Sequence, residues 1–356
     1  MRQNSSEDSS LFSRDPFIDA KQLGKKAGPN YQMLFPNDHF EHTEFDIEWW
    51  YLTANLVSEQ NEIYGLQWTL FRFRNPSTEE TNSEWGSDQL YMAHASIHSI
   101  DEHFFSEKYA RRKLGNAGNN ADPFTLFIDN WEWKNNIGTN NLLPASLTFD
   151  AVSESGKKIR ASLNLSNNGP LVKHGEDGFS VKSPNGKHAS HYYSAPFIHM
   201  TGLFEIQDKT SEDVSSFRVL GDAWYDHEWT SQLLDNDTLG WDWMSLHLDN
   251  GDKLMAFRMR LDNQNDFVTG SYISKDGALT TLSPNDISLL PITFTRVNGK
   301  DMPLAWQLSI ESKDMDLSIE SVKTDQWNHA SIPYYEGMVS ISGTQGGKGF
   351  LELTGY

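Results

Sequence analysis

Trp49-Trp50-Tyr51-Leu52-Thr53-Ala54-Asn55-Leu56 returns 192 residues later as Trp241-Asp242-Trp243-Met244-Ser245-Leu246-His247-Leu248, each copy opening on Trp and closing on Leu. Each copy then passes through a polar, acidic turn into a second apolar strand. That strand closes on Phe71-Arg72-Phe73-Arg74 in the first copy and Phe257-Arg258-Met259-Arg260 in the second. A repeat at this spacing predicts two related domains in tandem, each large enough for its own core. We place a polar tether at residues 1–30, an N-terminal domain at 31–232 and a C-terminal domain at 233–356, with Asp235-Asn236-Asp237 as the polar break.

Outside the repeat, period two dominates. Met255, Phe257, Met259 and Leu261 are separated by Ala256, Arg258 and Arg260; Leu304, Trp306, Leu308 and Ile310 alternate with smaller or polar residues, as do Met315, Leu317 and Ile319. Each run predicts a strand with one wet and one dry face. Turn residues at Ser155-Gly156-Lys157, Asp249-Asn250-Gly251, Lys275-Asp276-Gly277 and Asn298-Gly299 join the strands into hairpins. The Gly-rich run from Gly343 to Gly349 also reads as a hairpin, because Ser342 and Gly349 occupy the places where a phosphate loop needs its first Gly and its Ser or Thr. Helical periodicity is confined to short stretches around Ser106 to Leu114 and Pro284 to Leu290. The expected class is mainly β, as sandwiches or closed barrels, because closure removes exposed strand edges.

The chain has 356 residues, 12% of them aromatic, and no cysteine, which excludes thiolate nucleophiles, Cys-ligated zinc and iron–sulfur clusters. A net charge of −20 repels polyanions, so no nucleic-acid partner is expected. No apolar run reaches the length of a membrane-spanning helix. The serine-rich, acidic start is compatible with a tether behind a removed export signal, which gives an expectation of a periplasmic or secreted protein, or a tethered lipoprotein.

The densest polar and aromatic group is Ala223-Trp224-Tyr225-Asp226-His227-Glu228-Trp229. On a strand, Tyr225, His227 and Trp229 share one face and Asp226 and Glu228 the other. His227 between aromatic walls could move a proton near neutral pH, and the same residues could equally form a buried polar knot whose carboxylates accept from amides and indoles. Glu48 runs in phase with Trp50, Leu52 and Leu56, and Asp242 with Met244, Leu246 and Leu248. Each of these carboxylates is either desolvated, with a raised pKa, or at a wet strand mouth, and the strand starts favour the mouth. His94 and His98 lie on one face of a strand, about 13 Å apart at about 3.3 Å per residue, too far to share an ion with Asp101 or His103 as the third ligand. No metal or other cofactor is expected. Gly-x-Ser-x-Gly and His-Glu-x-x-His are both absent.

Taken in order, Glu48-Trp49-Trp50-Tyr51-Leu52-Thr53, Met92-Ala93-His94, Trp224 to Trp229, Gly240-Trp241-Asp242-Trp243 and the closing Gly349 to Tyr356 resemble the AttH-like, carotenoid 1,2-hydratase (hydroxyneurosporene synthase) superfamily, over roughly Tyr31 to Tyr356. The resemblance implies two tandem lipocalin-like antiparallel β-barrels with few short helices, and a bulky apolar ligand such as a lipid, isoprenoid or carotenoid. It also implies an association of some members with ABC-transporter systems of the cell envelope.

His227 and Trp229 match the His-x-Trp positions associated with activity in the hydratase branch. Asp226 or Glu228 would then be the acid or would orient His227, with Glu48, Trp50, Tyr51, His94, Tyr225, Trp241, Asp242 and Trp243 around the ligand. The stretch Phe257-Arg258-Met259-Arg260 carries no carboxylate where the hydratases have a Tyr and an Asp.

Three functions are compatible with these readings. The first is a monomeric envelope protein that binds or hands on an apolar ligand in a lipocalin-type cavity. The second is a cofactor-free hydro-lyase or isomerase that protonates an alkene and lets water capture the cation. The third is a structural module, which would show filled barrels and no cavity of about 300 Å³.

Overall fold

The computed structural model describes residues 24–74, 88–112, 115–209, 213–232 and 237–356. Most of the expected tether and residues 233–236 of the polar break lie outside this set. The protein is nearly all β, with an eight-stranded closed barrel and a curled half-barrel sheet.

The barrel strands are β1 (Ile47–Ser58), β2 (Ile63–Arg74), β3 (Gln89–His98), β4 (His103–Arg111), β5 (Ala145–Ser153), β6 (Lys158–Asn167), β7 (Ala189–Gln207) and β8 (Val214–Thr230). Each pairs antiparallel with the next in sequence. β8 pairs back onto β1 from Ile47 opposite Thr230 to Ser58 opposite Val219, which closes the ring. The link from β4 to β5 spans only Phe104 and Phe105, and there three short strands, Ala117–Ala121, Phe124–Ile128 and Trp131–Asn135, extend from the free length of β5. Trp50, Trp68, Trp131, Trp133, Tyr193, Tyr225 and Trp229 are fully buried in the barrel core.

The second sheet comprises β9 (Thr238–Leu248), β10 (Lys253–Leu261), β11 (Phe267–Ile273), β12 (Leu279–Leu282), β13 (Ser288–Val297), β14 (Lys300–Ile310), β15 (Met315–Ser321), β16 (Tyr334–Gly343) and β17 (Gly347–Leu353). It repeats the same move, with β17 returning to pair with β9. One link is missing, between β12 and β13, so the sheet curls without closing. The sequence of β13 accounts for the gap: Pro291 offers no backbone N–H, and the pairing with β14 shifts register on both sides of Thr293.

All the expected hairpin turns are present, including the one from Gly343 to Gly347. The stretch around Ser106 is not helical but forms the end of β4, where pairing with β3 overrides a weak helical period. Residues 284–287 form a turn leading into β13. β10 departs from the wet-and-dry expectation, because both its faces are covered. Leu254 and Ala256 join the half-barrel core, while Met255, Phe257, Met259 and Leu261 join Tyr51, Tyr192, Trp224 and Trp243 in a third core between barrel and sheet.

The outer faces of β1 and β9 meet in this third core. Tyr51 and Trp243 pack edge to face at 5.2 Å, Thr53 and Ser245 hydroxyls lie 3.1 Å apart, and Asn55 Nδ2 donates to the Gly349 carbonyl at 3.2 Å. Gly65 on β2 is needed for the close approach: a Cβ there would come within 2.4 Å of Met338 and 2.9 Å of Phe350. Gly65→Val should therefore lower the unfolding free energy by about 1–3 kcal/mol in urea titrations. A neutral result would show that Met338 and Phe350 yield without cost.

Candidate active site

Strand alternation sorts the candidate residues into two places. β1 and β8 pair with Trp50 opposite His227 and Tyr51 opposite Asp226. Glu48, Trp50, Tyr225, His227 and Trp229 consequently point into the barrel, while Trp49, Tyr51, Asp226 and Glu228 point outward toward the second sheet.

The inward group is the polar knot. Glu48 is fully buried, not at a wet mouth. Its Oε1 accepts from His42 Nδ1 at 2.7 Å and His227 Nε2 at 2.8 Å, and its Oε2 from Arg72 Nε at 2.9 Å and the His42 amide at 2.8 Å. Asp38 takes the other side of His42 at 3.0 Å, and Arg72 also donates to Gln89 and to the carbonyls of His42 and Phe45. Burial opposes ionisation of both partners, yet Glu48 and Asp38 raise His42 to about 9, and His42 with Arg72 holds Glu48 well below the usual carboxylate range. Burial lowers His227, which stays neutral against the Trp50 ring at 4.9 Å.

His42, Glu48 and His227 bring three metal-capable atoms within 4.8 Å of one another. Both imidazole contacts converge on the same carboxylate oxygen, and Arg72 claims the other oxygen, a geometry of shared protons rather than of a coordination shell. Asp242 is likewise buried, inside the half-barrel, where Arg258 at 3.1 Å, Arg260 at 3.4 Å and the Tyr356 hydroxyl at 2.9 Å hold it. Burial outweighs the two arginines and places its pKa at about 6.

The outward group lines a cavity of about 150 Å³ between barrel and half-barrel, the room of about one benzene ring. Its walls include matched pairs from the two copies of the repeat, Trp49 with Trp241 and Tyr51 with Trp243. Phe71 and Phe257 also line it but are not counterparts, because the register sets Phe71 opposite Trp49 and Phe257 opposite Trp243. Met92, His94, Ile332, Pro333 and Tyr334 complete the apolar side. His94 Nδ1 meets the Tyr334 hydroxyl at 3.0 Å and its Nε2 donates to Glu107 at 2.9 Å. The cavity thus lies between the two β bodies and not inside a barrel, whose core is filled. At about 150 Å³ it falls short of the about 300 Å³ expected of a lipocalin-type cavity, so by volume the structure meets the condition set for a structural module, and the case for a ligand rests on the chemistry of the cleft. Among the earlier candidates, Tyr51, His94, Asp226, Glu228, Trp241 and Trp243 reach it; Glu48, Trp50, Tyr225, His227, Trp229 and Asp242 do not.

Three carboxyl groups face the cleft. Asp226 Oδ1 accepts from Trp224 Nε1 at 2.6 Å and from the Ser194 hydroxyl, and burial outweighs these bonds to raise its pKa to about 7. Glu352 of β17 accepts from Trp241 Nε1 at 2.9 Å; burial, with repulsion from Asp226 and Glu228, raises it to about 7. Glu228 pairs with Lys182 Nζ at 2.9 Å. Behind Glu352, burial and repulsion keep Glu336 protonated well above the normal range, and its Oε1 accepts from the Tyr51 hydroxyl at 2.7 Å. Two acids that titrate near neutrality beside aromatic faces can hold one proton between them, so one can donate while the other accepts.

Glu352, Lys182, Trp49, Phe71 and Tyr334 were missed by sequence reasoning. Trp49 was accessible, since it shares the phase of Tyr51. Phe71 was accessible too, opposite Trp49 across the β1–β2 hairpin, whereas Glu352, Lys182 and Tyr334 come to the cleft from segments distant in sequence.

An AttH-like family model matches residues 26–356. An AttH protein of Nitrosomonas europaea (NE1406), solved at 2.00 Å, is 29% identical, with 93% of this chain and 99% of that chain covered and a TM-score of 0.80. Kievitone hydratase from Nectria haematococca is 16% identical with a TM-score of 0.64, covering 93% and 96%. CghA with Sch210972 is 11% identical with a TM-score of 0.52, covering 96% and 97%. No curated protein matches the chain.

Proposed function

The chain belongs to the AttH-like family, and on that premise we propose that it adds water across a carbon–carbon double bond of an apolar substrate whose reacting end enters the cleft. The observation that carries this reading is the pair of buried carboxyls, Asp226 and Glu352, both near pKa 7 within aromatic walls. The fold shared with a kievitone hydratase supports hydration as chemistry that such a scaffold houses.

In this mechanism Asp226, as the neutral acid, gives its proton to one alkene carbon. The π electrons form the new C–H bond and leave a tertiary cation at the other carbon. The faces of Trp241, Trp243 and Tyr51 stabilise that cation through their quadrupoles. Water attacks it through oxygen and loses a proton to the Glu352 carboxylate, giving the tertiary alcohol, and transfer of that proton back to Asp226 resets the pair. His227 takes no direct part, being on the inner face of β8.

A cavity of about 150 Å³ holds one ring or one branched end of the substrate, so a longer molecule must extend beyond it. The test is incubation of the protein with isoprenoid alkenes in water enriched in oxygen-18. Incorporation of one labelled oxygen with a mass gain of one water is the expected result. Recovery of unchanged alkene bound to the protein would instead establish the second reading, a ligand carrier, which the predominantly aromatic lining also favours.

A further inference from the structure

We propose that the cleft between barrel and half-barrel is a receptor for a hydrophobic organic ammonium ion, which it binds in preference to the neutral carbon isostere of the same shape. The proposal rests on the same cleft as the hydration reading and not on turnover.

Two observations support it independently. The first is charge. Among the described residues, neither Asp226 nor Glu352 forms an ion pair with a lysine or arginine, and Lys182, the one cationic lysine or arginine lining the cavity, is committed to Glu228 at 2.9 Å. The groups facing these two carboxyls are the Ser194 and Tyr192 hydroxyls, the Trp224 and Trp241 indoles, Glu228 with Lys182, and Glu336 behind Glu352. Hydrogen bonds partly satisfy the carboxyls, but no positive charge in the cleft balances them.

The second is the wall itself. Lys182 Nζ lies 4.6 Å from the ring centroids of both Tyr192 and Phe257, so the cleft already stabilises one buried ammonium by two aromatic faces and a carboxylate. The same cavity is lined by Trp49, Tyr51, Trp241 and Trp243 beside Asp226 and Glu352, with the Trp241 indole bonded to Glu352, and among the described residues no lysine or arginine other than Lys182 lines it. That aromatic and acidic lining calls for a cation from solution, and the volume admits a quaternary or tertiary ammonium head, with any aryl or alkyl group it carries extending beyond the cavity.

The experiment compares phenyltrimethylammonium with tert-butylbenzene, its uncharged isostere, by tryptophan fluorescence and calorimetry on the full chain. The cation should bind about tenfold or more tightly than the isostere at about pH 8. Its affinity should fall at least about fivefold at about pH 5.5, where both acids are protonated, while tert-butylbenzene stays unchanged. Asp226→Asn with Glu352→Gln should remove the preference for the cation and leave isostere binding; the pH comparison on the unaltered protein stands even if that variant folds poorly. Equal or tighter binding of tert-butylbenzene, or cation affinity independent of pH, overturns the proposal. Hydration without cation preference would overturn it while leaving the proposed function standing. Cation preference with no hydration of any alkene would do the reverse.

Discussion

Glu48→Ala is expected to lower the unfolding free energy by about 3–5 kcal/mol, the cost of leaving buried charges without their partner. The side chain is completely buried and holds the Arg72 guanidinium and the His42 imidazolium at once. Removing it strands both cations in the barrel. Glu48→Gln should cost less, because it keeps the shape and can still accept from Arg72, so the difference between the variants isolates the charge. Urea titration with intrinsic fluorescence measures both; a loss below about 1 kcal/mol for the Ala variant would show that Asp38 suffices to hold the cations.

The same network sets the pH range of stability. His42 is raised in the folded state, so its contribution is complete below its ordinary value near 6.5 and is lost as pH rises through about 9. Glu48 is depressed, so its contribution is present above its ordinary value near 4.5 and is lost on acidification. The network's own contribution, read as the difference in unfolding midpoint between the unaltered protein and Glu48→Gln, should therefore be flat between these limits and fall on both sides, whatever slope the raised carboxyls Asp226, Glu352 and Asp242 add to both proteins.

Asp226→Asn is expected to lower turnover of an alkene about 10²–10⁴-fold, the usual contribution of a positioned acid. The amide keeps the size of the carboxyl and can still accept through its oxygen from Trp224 and Ser194, so affinity for the unreacted alkene should change by only a few-fold. Glu352→Gln removes the group that receives the proton from water, and should depress turnover comparably. With both carboxyls near 7, the rate for the unaltered protein should peak around neutrality and fall on either side, since the acid limb needs one group ionised and the alkaline limb needs the other protonated. An Asp226→Asn variant with wild-type turnover would move the acid elsewhere in the cleft, to Glu352 or Glu228.

The fold was legible because its signals are local. Period-two runs and turns at Gly156, Gly251, Gly277 and Gly299 are each read within about ten residues, and an up-and-down meander needs little more. The site was half legible. Alternation separated His227 from Asp226 and Glu228, but it could not say which face meets a second β body, because β1, β9 and β10 carry large apolar residues on both faces. The candidate list therefore mixed barrel-core residues such as Trp50 and Trp229 with cleft residues such as Trp241. Glu352 was not identifiable either, since its neighbour Asp226 lies 126 residues away and the register of β17 on β9 brings them together. Glu48 looked like a strand-mouth carboxylate because its partners, His42 and Arg72, come from a segment before the strand and from the next strand.

The repeat has a geometric meaning beyond a shared origin of strands. Tyr51 touches Trp243 and Thr53 touches Ser245, and in both pairs the partners are the same position in the two copies. Counterpart residues touch each other in the isologous interface of a two-fold dimer, and the contact between the two β bodies of this chain takes that same form. The cleft takes walls from such counterparts too, Trp49 with Trp241 and Tyr51 with Trp243. Such walls present nearly the same surface to either end of a guest and cannot orient it. Direction must come from what breaks the equivalence: Asp226, Glu228 and Lys182 on the barrel side, Glu352, Ile332 and Pro333 on the other.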